Sequence, residues 1–289
     1  MTSISVPKVP RAFIWRRLHS LAGLWFVLFL MEHLLTNSQA ALWLGSNGKG
    51  FVNMVNALHN LPYLQVIEIT LLGFPILLHI VLGVKYLFTS KSNIAKGDGS
   101  TPYLPRARNY AYTFQRITSW ILLFGVILHV VKFRFVEYPE TLRAGAETYY
   151  AVKVDVDQGL YPVAERLKVS LFDSAAIENA QETWIYPLKK ETLHAHEVIA
   201  VTPNFGTATL LTVRDTFKYP LYIGLYTVFV MAACFHAFNG FWTFLISWGW
   251  VLKMAAQRAW VSVSVVLMLI MLFLGLAAIW GTYWINLRF

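Results

Sequence analysis

LPYLQVIEITLLGFPILLHIVLGVKYLF, residues 61–88, is the stretch that decides the fold. From residue 64 onward it is apolar over more than the ~20 residues a helix needs to cross a bilayer. It nevertheless holds Glu68 and His79. An ionisable side chain in hydrocarbon is costly, so such a residue faces a bundle interior and serves a function. Four more stretches of membrane length are present, at residues 18–44, 114–132, 221–246 and 261–285. Three of them carry a histidine at membrane depth: His33, His129 and His236. The fifth stretch has none.

Composition agrees. Of 289 residues, 57% are hydrophobic and 13% charged, against roughly 25% charged in a soluble domain. This excludes a chain built only of soluble domains. The net charge of +9 points to cytoplasmic loops rather than to nucleic acid. The single cysteine, Cys234, lies in an apolar run and reads as a small buried residue. One cysteine permits no internal disulfide, no thiolate metal site and no C-x-x-C-H attachment of haem. The first stretch could be confused with a cleaved signal peptide, Ser38-Gln39-Ala40 supplying the small-residue site. A signal core runs only about 7–15 apolar residues and would not hold Glu32 and His33.

Short loops orient the spans. Lys8, Arg11, Arg16 and Arg17 precede the first; Lys91, Lys96, Arg106 and Arg108 lie between the second and third; Lys253 and Arg258 lie between the last two. The loop after the first span has only Lys49. Positive residues mark the cytoplasmic side, so the N-terminus is expected inside. The chain divides into spans I–III at 1–132, an extracytoplasmic insert at 133–218, and spans IV–V at 219–289. Within the insert, residues 198–201, a Pro203-Asn204-Phe205-Gly206 turn and residues 209–213 predict a β-hairpin.

Depth sorts the histidines. His33 lies 15 residues beyond residue 18 and His129 lies 15 beyond residue 114, each ~22 Å from the inner boundary at 1.5 Å per residue. On the returning spans, His79 and His236 lie ~13–15 Å from that boundary. Two pairs result: His33 with His129 towards the outside, and His79 with His236 towards the inside. Each pair joins helices of the same direction, as diagonal partners in a four-helix bundle do. Four histidines arranged in this way suit the axial positions of two haems. Gly83 and Gly240 follow His79 and His236 by four residues, and Gly125 precedes His129 by four. Each shares its histidine's helix face and leaves room there. Pro75 is expected to bend span two.

These residues also resemble a known family. RRLHSLAGLW (16–25), MEHLLTNS (31–38), residues 61–86 and RNYAYTFQRITSWILLFGVILHVVKFR (108–134) are similar to the single-subunit, dihaem cytochrome b anchor of succinate dehydrogenases and fumarate reductases. The most specific element is QRIT, Gln115 to Thr118. Ser119 stands where relatives often have glycine, and the insert is absent from better-known members. The resemblance implies two b haems, His33 and His129 at the distal one and His79 and His236 at the proximal one. It also implies flavoprotein and iron–sulfur partner subunits on the inner face, succinate chemistry on those partners, and a menaquinone or ubiquinone in a bacterial-type cytoplasmic membrane.

Other residues are candidates by type. Arg17 and Arg116 suit propionates of the inner haem and Arg134 those of the outer one, whereas Lys132 reads as a snorkelling side chain. Glu32 and Glu68 are intramembrane carboxyls able to relay protons to a quinone. His19 is expected at the inner interface, His59 in a loop, and His194 and His196 in solvent. Two other readings stay open: the haem b anchor of a hydrogenase or formate dehydrogenase, and a haem-free proton-coupled transporter.

Overall fold

The structure, a computed structural model, describes residues 9–42, 46–89, 91–96 and 102–289. Lys8 and Leu44, used above to place the first span and its flank, lie outside the described residues. Among the described residues, five helices are long and apolar enough to cross a membrane: α1 (Arg11–Ser38), α3 (Leu64–Thr89), α4 (Ala107–Val136), α8 (Pro220–Ser247) and α9 (Met254–Asn286). The chain is thus a mostly helical multi-pass membrane protein.

The helix ends follow local chemistry. α1 stops at Ser38, short of the expected residue 44. The Asn37 side chain donates to the His33 carbonyl (2.8 Å) and the Ser38 hydroxyl to Leu35 (2.7 Å), so side chains satisfy the last carbonyls and release the chain. α8 opens on Pro220, whose missing N–H is no loss at a first helical position. α3 contains a π-helical turn, Glu68–Gly73, just before Pro75. Proline cannot donate to the carbonyl four residues back. That carbonyl belongs to Leu71, and the Trp25 indole N–H donates to it instead.

The chain forms two compact units, and α1, α4, α8 and α9 each contribute a stretch to both, whereas α3 lies in the first apart from Leu64. The first unit comprises Met1–Met31, Gln65–Leu123 and Ala232–Ile270. One of its apolar clusters joins Phe244, Leu245 and Val251 with Leu24, Phe241 and Trp248.

The second unit comprises Glu32–Leu64, Phe124–Met231 and Met271–Phe289. It contains a helix α2 (Lys49–His59) and an antiparallel sheet of order β1-β2-β4-β3. The strands are β1 (Glu140–Ala144), β2 (Glu147–Asp155), β3 (Ser170–Phe172) and β4 (Glu197–Thr202). Short helices α5 (Leu160–Leu167) and α6 (Ser174–Asn179) flank β3. One sheet face, with Leu142, Ala151, Ile199 and Val201, packs against Ile177, Ile185 and Leu188. Strand alternation turns Val198 and Ala200 to the other face, towards helix α7 (Phe205–Phe217), which packs on both β2 and β4.

α7 corrects the expected hairpin. Residues 209–213 are helical, and β4 pairs with β2 and β3. Asn204 is not a turn residue but an N-cap: its side chain accepts from the Thr207 N–H at 3.1 Å. Thr209 and Thr216 return their hydroxyls to carbonyls four residues back, at 3.0 and 2.9 Å, so β-branched residues are accommodated within a buried helix. The hairpin that does form is β1–β2, turning at Gly145, whose φ of +63° suits glycine.

Arg214 ties this unit together. It is fully buried on α7. Its two terminal nitrogens donate to both oxygens of Asp157 at 2.7 Å, and Nε donates to the Leu287 carbonyl at 2.7 Å. Tyr283 lies against the guanidinium, its ring centroid 5.1 Å away. The C-terminal backbone comes so close that a Cβ on Gly159 would sit 1.5 Å from the Arg288 carbonyl oxygen. Burial alone would raise the Asp157 carboxyl, but Arg214, the Gly159 N–H and Lys218 outweigh it and hold it below the ordinary range. A carboxyl lowered in the folded state contributes stability that is present above its unfolded value of ~3.9 and is lost as pH falls through the folded value. Arg214→Met should therefore cost about 3–5 kcal/mol, because it strands the Asp157 carboxylate. Limited proteolysis of residues 137–218 would report this as faster cleavage at pH 7. The unsubstituted protein should reach the same susceptibility only in acid.

Candidate functional site

In the first unit, His79 on α3 and His236 on α8 face each other. Their ring centroids are 6.3 Å apart and their planes cross at 79°. The orientation of each ring is fixed from behind. His79 Nδ1 lies 3.1 Å from the His19 carbonyl oxygen. A carbonyl only accepts, so Nδ1 carries the proton and Nε2 keeps its lone pair. His236 Nδ1 lies 3.3 Å from Thr118 Oγ1. That hydroxyl is also 2.8 Å from the Phe114 carbonyl oxygen, to which it donates, leaving its oxygen to accept from His236 Nδ1–H. Gln115 donates to the His236 carbonyl at 3.0 Å and accepts from Asn239 at 2.7 Å. Asn239 in turn accepts from the Trp242 indole at 3.0 Å. Two residues of QRIT therefore hold His236 in place. Sequence inspection marks the motif but not this duty, because the partners lie more than a hundred residues apart.

His19 packs within this unit. Its ring stacks on His79 with centroids 4.1 Å apart and planes at 11°. Gly23 explains the fit, since a Cβ there would lie 3.0 Å from His79 Cε1. Gly83 makes room for His19 rather than for His79: its Cβ would meet His19 Nε2 at 3.4 Å. A Cβ on Gly240 would meet Gln115 Nε2 at 3.7 Å. Arg17 Nη1 and His19 Nε2 are buried without hydrogen-bond partners among the described residues. Phe13 and Trp248 lie against the Arg17 guanidinium, at 4.7 and 5.3 Å, and Tyr112 against that of Arg116, at 5.6 Å. Glu68 belongs to this unit and opens the π-helical turn of α3.

In the second unit, His33 on α1 and His129 on α4 stand with centroids 5.7 Å apart and planes at 87°. His129 Nδ1 is 3.2 Å from the Tyr226 hydroxyl, and Phe133 and Phe229 flank its ring at 5.2 and 5.9 Å. Gly125 admits Phe229: a Cβ there would lie 2.4 Å from the ring. Glu32 accepts from the Thr36 hydroxyl at 2.7 Å. Lys132 pairs with Glu137 and lies 4.5 Å from the Tyr222 ring centroid. Arg134 stacks on Tyr138 at 4.4 Å. His59 is not in a loop. It ends α2 and stacks on Phe205 at 3.7 Å. Cys234, in the first unit, is buried and free.

The chain is similar to a protein of Bacillus subtilis (strain 168), the succinate dehydrogenase cytochrome b558 subunit. The two are 25% identical over 272 residues, which cover 94% of this chain and 97% of that protein. No family model and no solved structure matches the chain.

Gly125 and Gly224 make a matched test of the packing beside His129. Gly125→Ala places a carbon in the Phe229 ring and should destabilise the detergent-solubilised protein by about 1–3 kcal/mol. Gly224→Ala, with nothing within 4 Å of its added carbon, should leave the thermal midpoint unchanged. Equal midpoints for the two variants would contradict the packing described.

Proposed function

We propose that the chain is the haem b-carrying membrane anchor of a succinate:quinone oxidoreductase. Its tasks would be to carry electrons between an iron–sulfur subunit and membrane quinone, and to attach the catalytic subunits to the membrane. The observation that carries this reading is the pair of opposed imidazoles in each unit. A metal bound at ~2 Å by each of two facing imidazoles, with the ring radius added on both sides, calls for centroids about 6 Å apart. His79 with His236 and His33 with His129, at 6.3 and 5.7 Å, meet that requirement. The donor chemistry fits as well. A metal-bound histidine gives its other ring nitrogen to a carbonyl or hydroxyl, as His79 and His236 do, and the His129 Nδ1 has the Tyr226 hydroxyl within reach.

In this reading His79 and His236 hold the inner haem, and His33 and His129 the outer one. When bound, a haem supplies a one-electron carrier. The chain's residues orient it, keep water away and set its potential. The partnerless Arg17 Nη1 suits a propionate, and Arg116 and Arg134 are assigned the same role. Thr118 and Tyr226 are positioning residues, acting through His236 and His129. Glu32, bonded to Thr36 beside His33, and Glu68 are assigned to proton delivery to quinone.

The charge of the short loops supports an N-terminus in the cytoplasm of a bacterial-type cell, with the flavoprotein and iron–sulfur subunits on that side. The chain is then organised as spans I–III (1–132), an extracytoplasmic insert (133–218) and spans IV–V (219–289). Similarity to the Bacillus subtilis subunit along nearly the whole chain supports the succinate-linked assignment.

Purification from native membranes should yield two haems b per chain, together with a flavoprotein and an iron–sulfur protein. His236→Ala should remove one haem and leave most of the other. A colourless preparation, or loss of both haems from this one variant with the fold intact, would overturn the assignment.

A further inference from the structure

We infer that the insert carries a divalent metal site made by Asp155, His196 and Glu197. The inference is independent of the haem assignment and rests on a different part of the chain. Asp155 ends β2 and Glu197 begins β4, and the two are direct partners across the antiparallel ladder. Side chains at such positions share a face at ~5 Å, and like charges placed there repel. His196 is next to Glu197, and its Nε2 lies 3.5 Å from Asp155 Oδ1. One donor atom from each of the three residues lies within 4.8 Å of the others.

The surroundings leave this triad without a neutralising cation. Asp155 and Glu197 both line a cavity of about 420 Å³. Its lysines pair with other carboxylates: Lys132 with Glu137, Lys153 with Glu191 at 3.7 Å, and the nearby Lys218, which donates to the Asp155 backbone carbonyl at 2.8 Å, with Asp215 at 2.6 Å and Asp157 at 3.7 Å. Among the described residues, no lysine or arginine forms an ion pair with Asp155 or Glu197. The carboxylates are held in place all the same. Tyr219 donates to Asp155 Oδ2, and the His194 backbone N–H donates to Glu197 Oε2 at 2.8 Å. Each therefore keeps one oxygen for a ligand, Oδ1 of Asp155 facing the imidazole. The His196 side chain is 67% exposed, so an ion can enter from solvent and water can complete its shell.

One imidazole and two carboxylates form a mixed nitrogen–oxygen set. This favours a first-row divalent ion such as Zn²⁺ over the all-oxygen shell preferred by Ca²⁺ or Mg²⁺. Contraction of the donors around an ion at ~2.0–2.2 Å would tie β2 and β4 to Tyr219, the residue preceding α8.

Equilibrium dialysis of the purified full-length protein against Zn²⁺, with metal counted per chain, tests the site. The unsubstituted protein should hold one Zn²⁺ more than His196→Ala and Asp155→Asn. Those variants should bind at the site about tenfold more weakly or worse. His194→Ala, which removes an imidazole outside the set, should retain the ion. Equal Zn²⁺ content in unsubstituted and His196→Ala protein overturns the site, as does an unsubstituted protein that binds none. A second measurement needs no variant. Zn²⁺ should shield His196 from diethyl pyrocarbonate, read by peptide mass spectrometry, while His194 continues to react. Equal labelling of His196 with and without Zn²⁺ also overturns the site.

Discussion

An imidazole placed in hydrocarbon has no water to satisfy either ring nitrogen, and this constraint organises the membrane helices. Both nitrogens need partners, and the chain supplies one of them for His79, His236 and His129 from a neighbouring helix: the His19 carbonyl, the Thr118 hydroxyl and the Tyr226 hydroxyl. Each of those contacts turns the remaining nitrogen away from its own anchor. The result is two pairs of rings facing one another, a division that also falls along the two compact units. In this arrangement costly polar groups are held in fixed orientations, as the proposed ligand role requires. The small residues serve the same end. Gly23 lets α1 approach His79, and Gly125 lets Phe229 close over His129.

The insert solves a different problem by similar means. Of the chain's 15 acidic residues, 12 lie in it. Its most deeply buried charge is one guanidinium, and that charge is matched donor for acceptor: two bonds to Asp157 and one to the Leu287 carbonyl. Arg214 thereby links the segment after β2, helix α7 and the chain's last turn. Asp155, two residues before Asp157, lines the cavity with Glu197.

Much of the membrane architecture is legible in the sequence because a bilayer enforces length and penalises charge. All five spans stand out, and counting residues from their ends pairs His33 with His129 and His79 with His236, whose ring centroids lie 5.7 and 6.3 Å apart in the structure. What the residues do not disclose is anything that depends on contacts between distant segments. The stacking of His19 on His79 and the grip of Gln115 and Thr118 on His236 are of this kind. So is the helical state of residues 209–213, whose Thr and Val content favours a strand locally but whose burial against the sheet and α2 favours a helix. The Asn204 cap was the local signal for that helix, and it lay within the four residues that read as a turn.

The crossing angles of the paired rings offer the most direct test of the central claim. If each pair holds a ferric haem as proposed, imidazole planes at 79° and 87° would give strongly anisotropic low-spin electron paramagnetic resonance signals. Two should be present, one for each pair, in the oxidised protein purified with its native partners. The account predicts two such signals, with His236→Ala removing one of them. A high-spin spectrum, a single low-spin species, or rhombic signals typical of parallel imidazole planes would contradict it.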